Sequence, residues 1–490
     1  MRYTVLTAGL VAFLVALPAW GQGKIQLRVV AATGQRAPGG QGPLDQVDVP
    51  LVNNAGQVAF SGRMPLPGGK ALQAAWVGAP EALQLVAKDG DAAPGVPADK
   101  PGALGGVELA NLADDGAIHL RAFVGAGTKR DWFGLPKALV LLPEAMDTAK
   151  RPAGSTYGDA YVRGLFSKDH VLVSAHVRQP VEPREQLYLW AGAPGDSQAI
   201  IDGQATRCPG INGAAWFLRI DALGNANRHI LIAGQYKGPV NSGRIGAEHR
   251  EGKLQTLVTP QQATELGLKP GAAGTFAHLG INAAGQRVVS MSGGADAAIV
   301  SDAGGALAII ARKNSPAAGL DGVSFGPILG RPAIGGGGHV VFDSGLGGPG
   351  GAGKLGLLTT GADAKGLTLI CREGAAVPGQ PEGTKFMNLA ALFPFCINKS
   401  GQVLFHARFG QHQPGVFLYD PKTGLHSVVA AGQSITINGK ALKVQGCEIQ
   451  SGFTGGQDGR PRALNDAGQA AVKVTCDDGT MAIVLASFGQ

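Results

Sequence analysis

A motif of the form Asn-x-x-Gly-x-x-x-(aromatic or aliphatic) recurs along the chain, and its spacing limits the available folds more than any other feature. Four copies are clean: Asn53…Gly56…Phe60, Asn282…Gly285…Val289, Asn398…Gly401…Phe405 and Asn465…Gly468…Val472. In all four, Gln follows the Gly. Degenerate copies stand at Ala113…Gly116…Leu120 and Gly335…Gly338…Phe342. Two weaker positions follow from spacing, near Ser167-Lys168-Asp169-His170 and near Asp221-Ala222-Leu223-Gly224. The eight starts are then 53–67 residues apart, too long for a leucine-rich repeat or a WD blade. The letters solve a folding problem. An Asn side chain can accept from a backbone N–H further along a turn, and Gly takes positive φ without a Cβ clash. After the Gly a strand begins, with Val58 and Phe60 on one face and Gln57 and Ala59 on the other.

Each unit holds further short apolar runs. One precedes the Asn, as in Val47–Val52, and another follows the motif, as in Ala75-Trp76-Val77. A last run leads into a Pro-Gly turn: Leu85–Gly90 into Ala93-Pro94-Gly95, and Leu369–Gly374 into Val377-Pro378-Gly379. Most runs are four to seven residues long and end in Gly, Asn, Asp or Pro, which is the pattern of strands and turns. With 78 Gly and only 16% charged residues, this composition suits a buried all-β chain. Four strands per unit is the content of a propeller blade. Ile25–Gly34 with Ala37-Pro38-Gly39 matches the last strand of a unit, yet stands before the first Asn motif. The final unit lacks that strand. The sequence therefore predicts an all-β fold, a single β-propeller of eight four-stranded blades closed by the N-terminal strand. Seven blades with an elaborated loop is the competing count.

The first residues read as a secretory signal peptide: Arg2, the apolar run Val5–Leu17, and small residues Ala19 and Gly21. Cleavage before Gln22 divides the chain into a signal peptide, 1–21, and a propeller domain, 22–490. That predicts an exported protein, periplasmic, cell-surface or secreted, with no membrane span in the mature chain. The formal charge of +7 is scattered, which argues against a nucleic-acid partner. Four of the five cysteines, Cys371, Cys396, Cys447 and Cys476, lie in the last 120 residues. In an oxidising compartment they predict disulfides, with Cys371–Cys396 and Cys447–Cys476 the sequence-local pairing and Cys208 the odd thiol.

Through Asn53, Gly56, Phe60 and Asn398, Gly401, Phe405 the chain resembles the bacterial exported proteins with tandem NxxGxxxF repeats, known for varied C-terminal surface anchors. The resemblance implies export and a repeated β architecture. It carries no catalytic residues, and no C-terminal anchor is recognisable in this sequence.

Signatures of chemistry are scarce. No H-E-x-x-H, G-x-S-x-G or zinc-type cysteine cluster occurs. Gly348–Lys354 imitates a phosphate loop but is followed by Leu355, where Ser or Thr is needed. No cofactor or metal is implied. His119, His339 and His406 follow motif glycines at different offsets and read as core or surface residues. Asp114, Asp115, Glu373, Asp466, Asp477 and Asp478 sit mostly in turns, where carboxylates cap backbone groups. The reading is a non-catalytic extracellular or periplasmic propeller that binds a carbohydrate or a protein. The alternative is a propeller-based hydrolase or lyase acting on an extracellular polymer.

Overall fold

The computed structural model describes residues 25–488, apart from 41, 97–101, 126, 128, 148–153, 181–184, 204, 240–241, 269–275, 294–295, 318–319, 349–350, 352–353, 388 and 390–393. The segment expected to be a signal peptide, 1–21, lies outside the described residues. The strands form eight sheets arranged as an eight-bladed β-propeller, each built mainly from consecutive strands and antiparallel except where Phe453–Thr454 pairs parallel to Phe395–Ile397 in blade 7. Blade 2 is typical, with strands Leu104–Leu112, Ile118–Val124, Lys129–Leu135 and Ala138–Leu142 in order from the axis outwards. Blade 8 closes the ring. Its strands Gln469–Cys476 and Met481–Phe488 are joined at the outer edge by Ile25–Ala32, with Leu27 opposite Ala486 and Val29 opposite Val484.

Eight apolar cores hold the ring, one between each pair of neighbouring blades. The core between blades 8 and 1 joins Ala471, Ile483 and Leu485 to Val58, Phe60 and Trp76. The motif's apolar position explains this regularity. Phe60, Val289, Phe405 and Val472 are all buried, and each belongs to the core shared with the preceding blade. Phe60 stacks on Trp76 with centroids 5.3 Å apart, and Phe405 on Phe417 at 5.7 Å. Burying such a side chain contributes roughly 1.5–3 kcal/mol, so the repeated position is a major source of ring stability.

The Asn turn joins the first and second strands of a blade. The Asn53 side-chain oxygen accepts from Gln57 N at 2.8 Å, while its amide donates to Gln57 Oε1 at 2.7 Å. The same amide donates to the Ala113 carbonyl of blade 2 at 2.8 Å. Asn282 reaches Gly335 O at 3.0 Å, Asn398 reaches Asn465 O at 3.0 Å, and Asn465 reaches Asn53 O at 2.9 Å. These buried side chains form a belt of blade-to-blade bonds around one face. Gly56 has φ +76°, and a Cβ there would also stand 3.3 Å from Gln469 Oε1 of the preceding blade. The same relation joins Gly116 to Gln57 and Gly468 to Gln402. The Gln after each clean motif Gly is thus explained: it accepts from its own Asn, and in blades 1, 5, 7 and 8 it packs against the next blade's turn.

Two expectations need correction. The blade 4 turn is not Asp221–Gly224, which lies in the strand Ala215–Gly224. It is Asn225-Ala226-Asn227-Arg228, where Arg228 takes the motif Gly's place at φ +60° and Asn225 donates to Asn282 O at 3.0 Å. The disulfides are also absent: all five cysteines are free and buried. Cys371 lies in the core between blades 6 and 7, whereas Cys396 lies between blades 7 and 8. Cys447 and Cys476 share a core but face Val474 and Val444, not each other, across neighbouring strands. Burial pushes the Cys396 and Cys447 thiols up to about 12, so they pack as small apolar side chains. Among the described residues, no helix is long and apolar enough to cross a membrane.

Candidate functional site

The innermost strands surround an axis, and the chain itself occupies one end of it. In blade 8 the innermost strand is interrupted: Lys440–Glu448 pairs with the end of Gln469–Cys476, and Ala463 pairs again beside its beginning. Between these points residues 449–462 run out across the axis at the level of the Asn turns. The Gly459 carbonyl accepts from Asn111 Nδ2 of blade 2 at 2.7 Å and from Leu165 N of blade 3 at 2.8 Å. Arg460 reaches Leu279 O of blade 5, and Gln457 accepts from Ala283 N at 3.0 Å. The Phe453 ring lies under the Arg331 guanidinium of blade 6, 3.6 Å away, and against Phe395 of blade 7. Small residues permit this approach. A Cβ at Gly455 would collide with the Ile334 carbonyl, and one at Gly459 would meet Phe166.

Arg462 anchors the segment's return. Its Nε donates to Val52 O at 3.2 Å, and its terminal nitrogens meet the Gly456 carbonyl and the Asp114 carboxylate. Burial pulls its pKa down to about 10 despite the nearby Asp466. Beside the segment, a cavity of about 160 Å³ is lined by Asn54, Asp114, Phe166, Gly456 and Arg462 among others.

Beyond the axial segment, the channel carries charge from several blades. Burial raises the pKa of Asp48, with Lys473 and the Gln46 hydrogen bond opposing and Glu108 reinforcing. Burial and Arg331 lower that of His278, while Asp221 and Asp343 oppose. Most carboxylates here already have cationic partners: Glu108 meets Lys129, Asp343 meets Arg331 at 3.7 Å, and Glu448 meets Lys473 at 3.6 Å. Over blades 3 to 5 a cavity of about 470 Å³ opens, lined by Tyr161, Arg163, Asp221, Gln235 and Arg244 over an apolar floor that includes Phe276. Tyr161 is 41% exposed, an unusual state for a tyrosine on an inner strand. The Arg163 guanidinium sits 4.7 Å from its ring centre and donates from Nε to Ser174 Oγ at 2.8 Å. A larger groove, about 860 Å³, runs along the outer edge of blades 7 and 8, but among the described residues no Asp, Glu, Lys or Arg lines it.

The histidines considered from sequence do not converge. His119 contacts Asp131 within blade 2 at 2.6 Å, His339 packs over Gly401 in the turn belt, and His406 is on the second strand of blade 7. The turn carboxylates do cap backbone groups: Asp115 accepts from Lys168 N, Asp466 from Lys399 N and Asp478 from Thr480 N. No group of three or more His, Cys, Asp or Glu could hold a metal ion among the described residues.

Comparison with known families gives one decisive match: the model of a family of unknown function, DUF7453, matches residues 7–135 and 73–488. The chain belongs to the DUF7453 family. No curated protein matches it. Among solved structures, this DUF7453 chain is similar to the β-propeller domain of the Trilobed protease from Pyrococcus furiosus, at 10% identity and a TM-score of 0.39, covering 79% of this chain and 98% of that one. It is also similar to prolyl oligopeptidase B from Galerina marginata, at 9% identity and TM-score 0.40, covering 81% and 55%. The fungal Aleuria aurantia lectin follows at 9% and 0.28, covering 66% and 93%. The chain spans about half the length of the peptidases it matches, 52% and 58% for two acylaminoacyl peptidases.

Sequence reasoning singled out none of the cavity residues of this DUF7453 chain as a site. Asp221 stands in the segment taken for the blade 4 turn, and Arg244 is one of the scattered basic residues. One signal was present: the 67-residue interval from Asn398 to Asn465 is the longest, and it contains the axial segment.

Proposed function

We propose that this protein is an exported, non-catalytic binding module that takes its ligand at the mouth of the propeller opposite the Asn turns. The axial segment fills the turn end, which leaves the mouth as the accessible end of the axis. The observation carrying this reading is the composition of the 470 Å³ cavity: Asp221 is the one carboxylate among the described residues lining it, set beside two arginines, a tyrosine and a glutamine. A glycosidase needs two carboxylates across the scissile bond. Aromatic and polar groups converging on one pocket suit recognition of a carbohydrate or of a polar protein segment. Export rests on the apolar run Val5–Leu17 and on the resemblance to NxxGxxxF repeat proteins.

A hydrolase or lyase is the second reading, favoured by His278, an imidazole kept neutral by burial near Asp221. Retention on immobilised extracellular polysaccharides and release of products, measured together, decide between the two. Retention without turnover, abolished by Arg163→Ala, supports the binding module. Turnover lost on a single Asp221→Asn or His278→Ala substitution overturns it.

A further inference from the structure

We infer that the mouth cavity is a subsite for an acidic saccharide, a uronate-type residue carrying one carboxylate; this rests on the binding-module reading above. Among the described residues, two guanidinium groups and one carboxylate line the cavity, a net charge of +1. The two cations have different roles. Arg163 is held by Ser174 and by the Tyr161 ring, so it stiffens the aromatic platform. Arg244 is exposed, opposite Gln235 on the neighbouring strand, and has no carboxylate within ion-pair range among the described residues. Its fork geometry suits two parallel bonds to a carboxylate.

The remaining groups match the rest of a sugar ring. Tyr161 offers an exposed aromatic surface for the C–H face of a pyranose. Asp221, also exposed and without an ion-pair partner among the described residues, accepts from hydroxyl groups. The Gln235 amide both donates and accepts. A volume of about 470 Å³ accommodates one or two sugar rings. A neutral sugar would leave Arg244 unanswered, and a phosphate would gain nothing from Tyr161 or Asp221. Acidic saccharide is the class that uses every group.

Calorimetric titration of the full mature chain with galacturonate tetramers, and with galactose tetramers of equal length, tests this. The acidic tetramer should bind at least tenfold more tightly, with affinity falling as salt rises. Arg244→Ala and Tyr161→Ala should each weaken it at least tenfold while leaving the unfolding midpoint unchanged. Glucuronate tetramers binding in place of galacturonate, with the same Arg244 dependence, also support the inference. Equal binding of acidic and neutral tetramers, or indifference to Arg244→Ala, overturns it; in that case continued loss on Tyr161→Ala leaves the binding-module reading standing. No binding of any tetramer overturns the saccharide inference alone. Growth of the ultraviolet band of an unsaturated uronate overturns the non-catalytic reading instead.

Discussion

The side-chain amide of Asn465 donates to the backbone carbonyl of Asn53, 2.9 Å away across 412 positions of sequence. One side chain thereby ties the last blade to the first. It also donates to Gln469 Oε1 at 2.9 Å and accepts from Gln469 N at 2.8 Å, all in a buried turn. Asn465→Ala leaves the Asn53 carbonyl without this donor and should cost about 1–3 kcal/mol in denaturant unfolding. Asn282→Ala and Asn398→Ala should cost similar amounts, since each makes the equivalent bond. Costs confined to Asn465 would show that the belt does not act blade by blade.

The strand Ile25–Ala32 covers the edge of Met481–Phe488 in ladder register. Removing residues 25–32 exposes that edge and partly uncovers the core containing Val484 and Ala486. The truncated chain should unfold at lower denaturant and aggregate more readily, and a peptide of sequence 22–34 should restore part of the loss. An unchanged midpoint would refute the closure role.

The thiols give a direct count. Alkylation without reductant should modify few of the five cysteines in the native protein and all five in denaturant. Burial raises the Cys208 thiol to about 12, so native labelling near neutral pH should be slow there too. Three or fewer reactive thiols in denaturant would signal a bridge.

Acid should destabilise the protein in two stages. Burial, with Arg228 nearby, lowers the His170 pKa to about 4; burial, with Arg408, does the same for His406. The unfolded chain protonates these rings near 6.5, so both contributions are complete above that pH and are lost as pH falls towards 4. Each ring contributes a slope of up to about 1.4 kcal/mol per pH unit in that window. Burial alone would raise Glu248, but the His229 hydrogen bond and the Arg287 charge outweigh it and hold the carboxyl near 2. Its contribution is present above about 4.5 and disappears as pH falls towards 2. His170→Gln should flatten the upper window of a stability profile. An identical profile for the variant would exclude His170 as its source.

Arg462→Met removes the cation that binds the axial segment to Val52 and Asp114. It should cost about 1–3 kcal/mol for each buried carbonyl left without a donor, and hydrogen exchange over 449–462 should accelerate. Unchanged exchange there would mean that the segment is held without Arg462.

The blade count was legible because the Asn-Gly turn is a local solution repeated with local letters. Asn53 and Asn398 carry their own signature, since turn geometry and strand start lie within eight residues. Blade 4 was misplaced because Arg228 occupies a positive-φ position where a glycine was sought. The disulfide expectation failed for a different reason. Clustering of Cys371, Cys396, Cys447 and Cys476 in sequence says nothing of which inter-blade core each side chain enters. The mouth cavity was the least legible part. Tyr161, Asp221 and Arg244 come from two blades and three strands, and no short motif records that they share one pocket.

Met481 N donates to Thr33 Oγ1 across 448 positions, and this pairing sets an order of events in time. At roughly 5–20 residues per second, the ribosome separates the emergence of these two partners by about 20–90 s. The axial segment emerges only shortly before the later one. Throughout that interval the first strand has no mate, and the inner wall of seven blades has no filling. Anything that holds the early chain open until its final forty residues arrive would therefore work with this architecture, and premature pairing of the first strand would work against it.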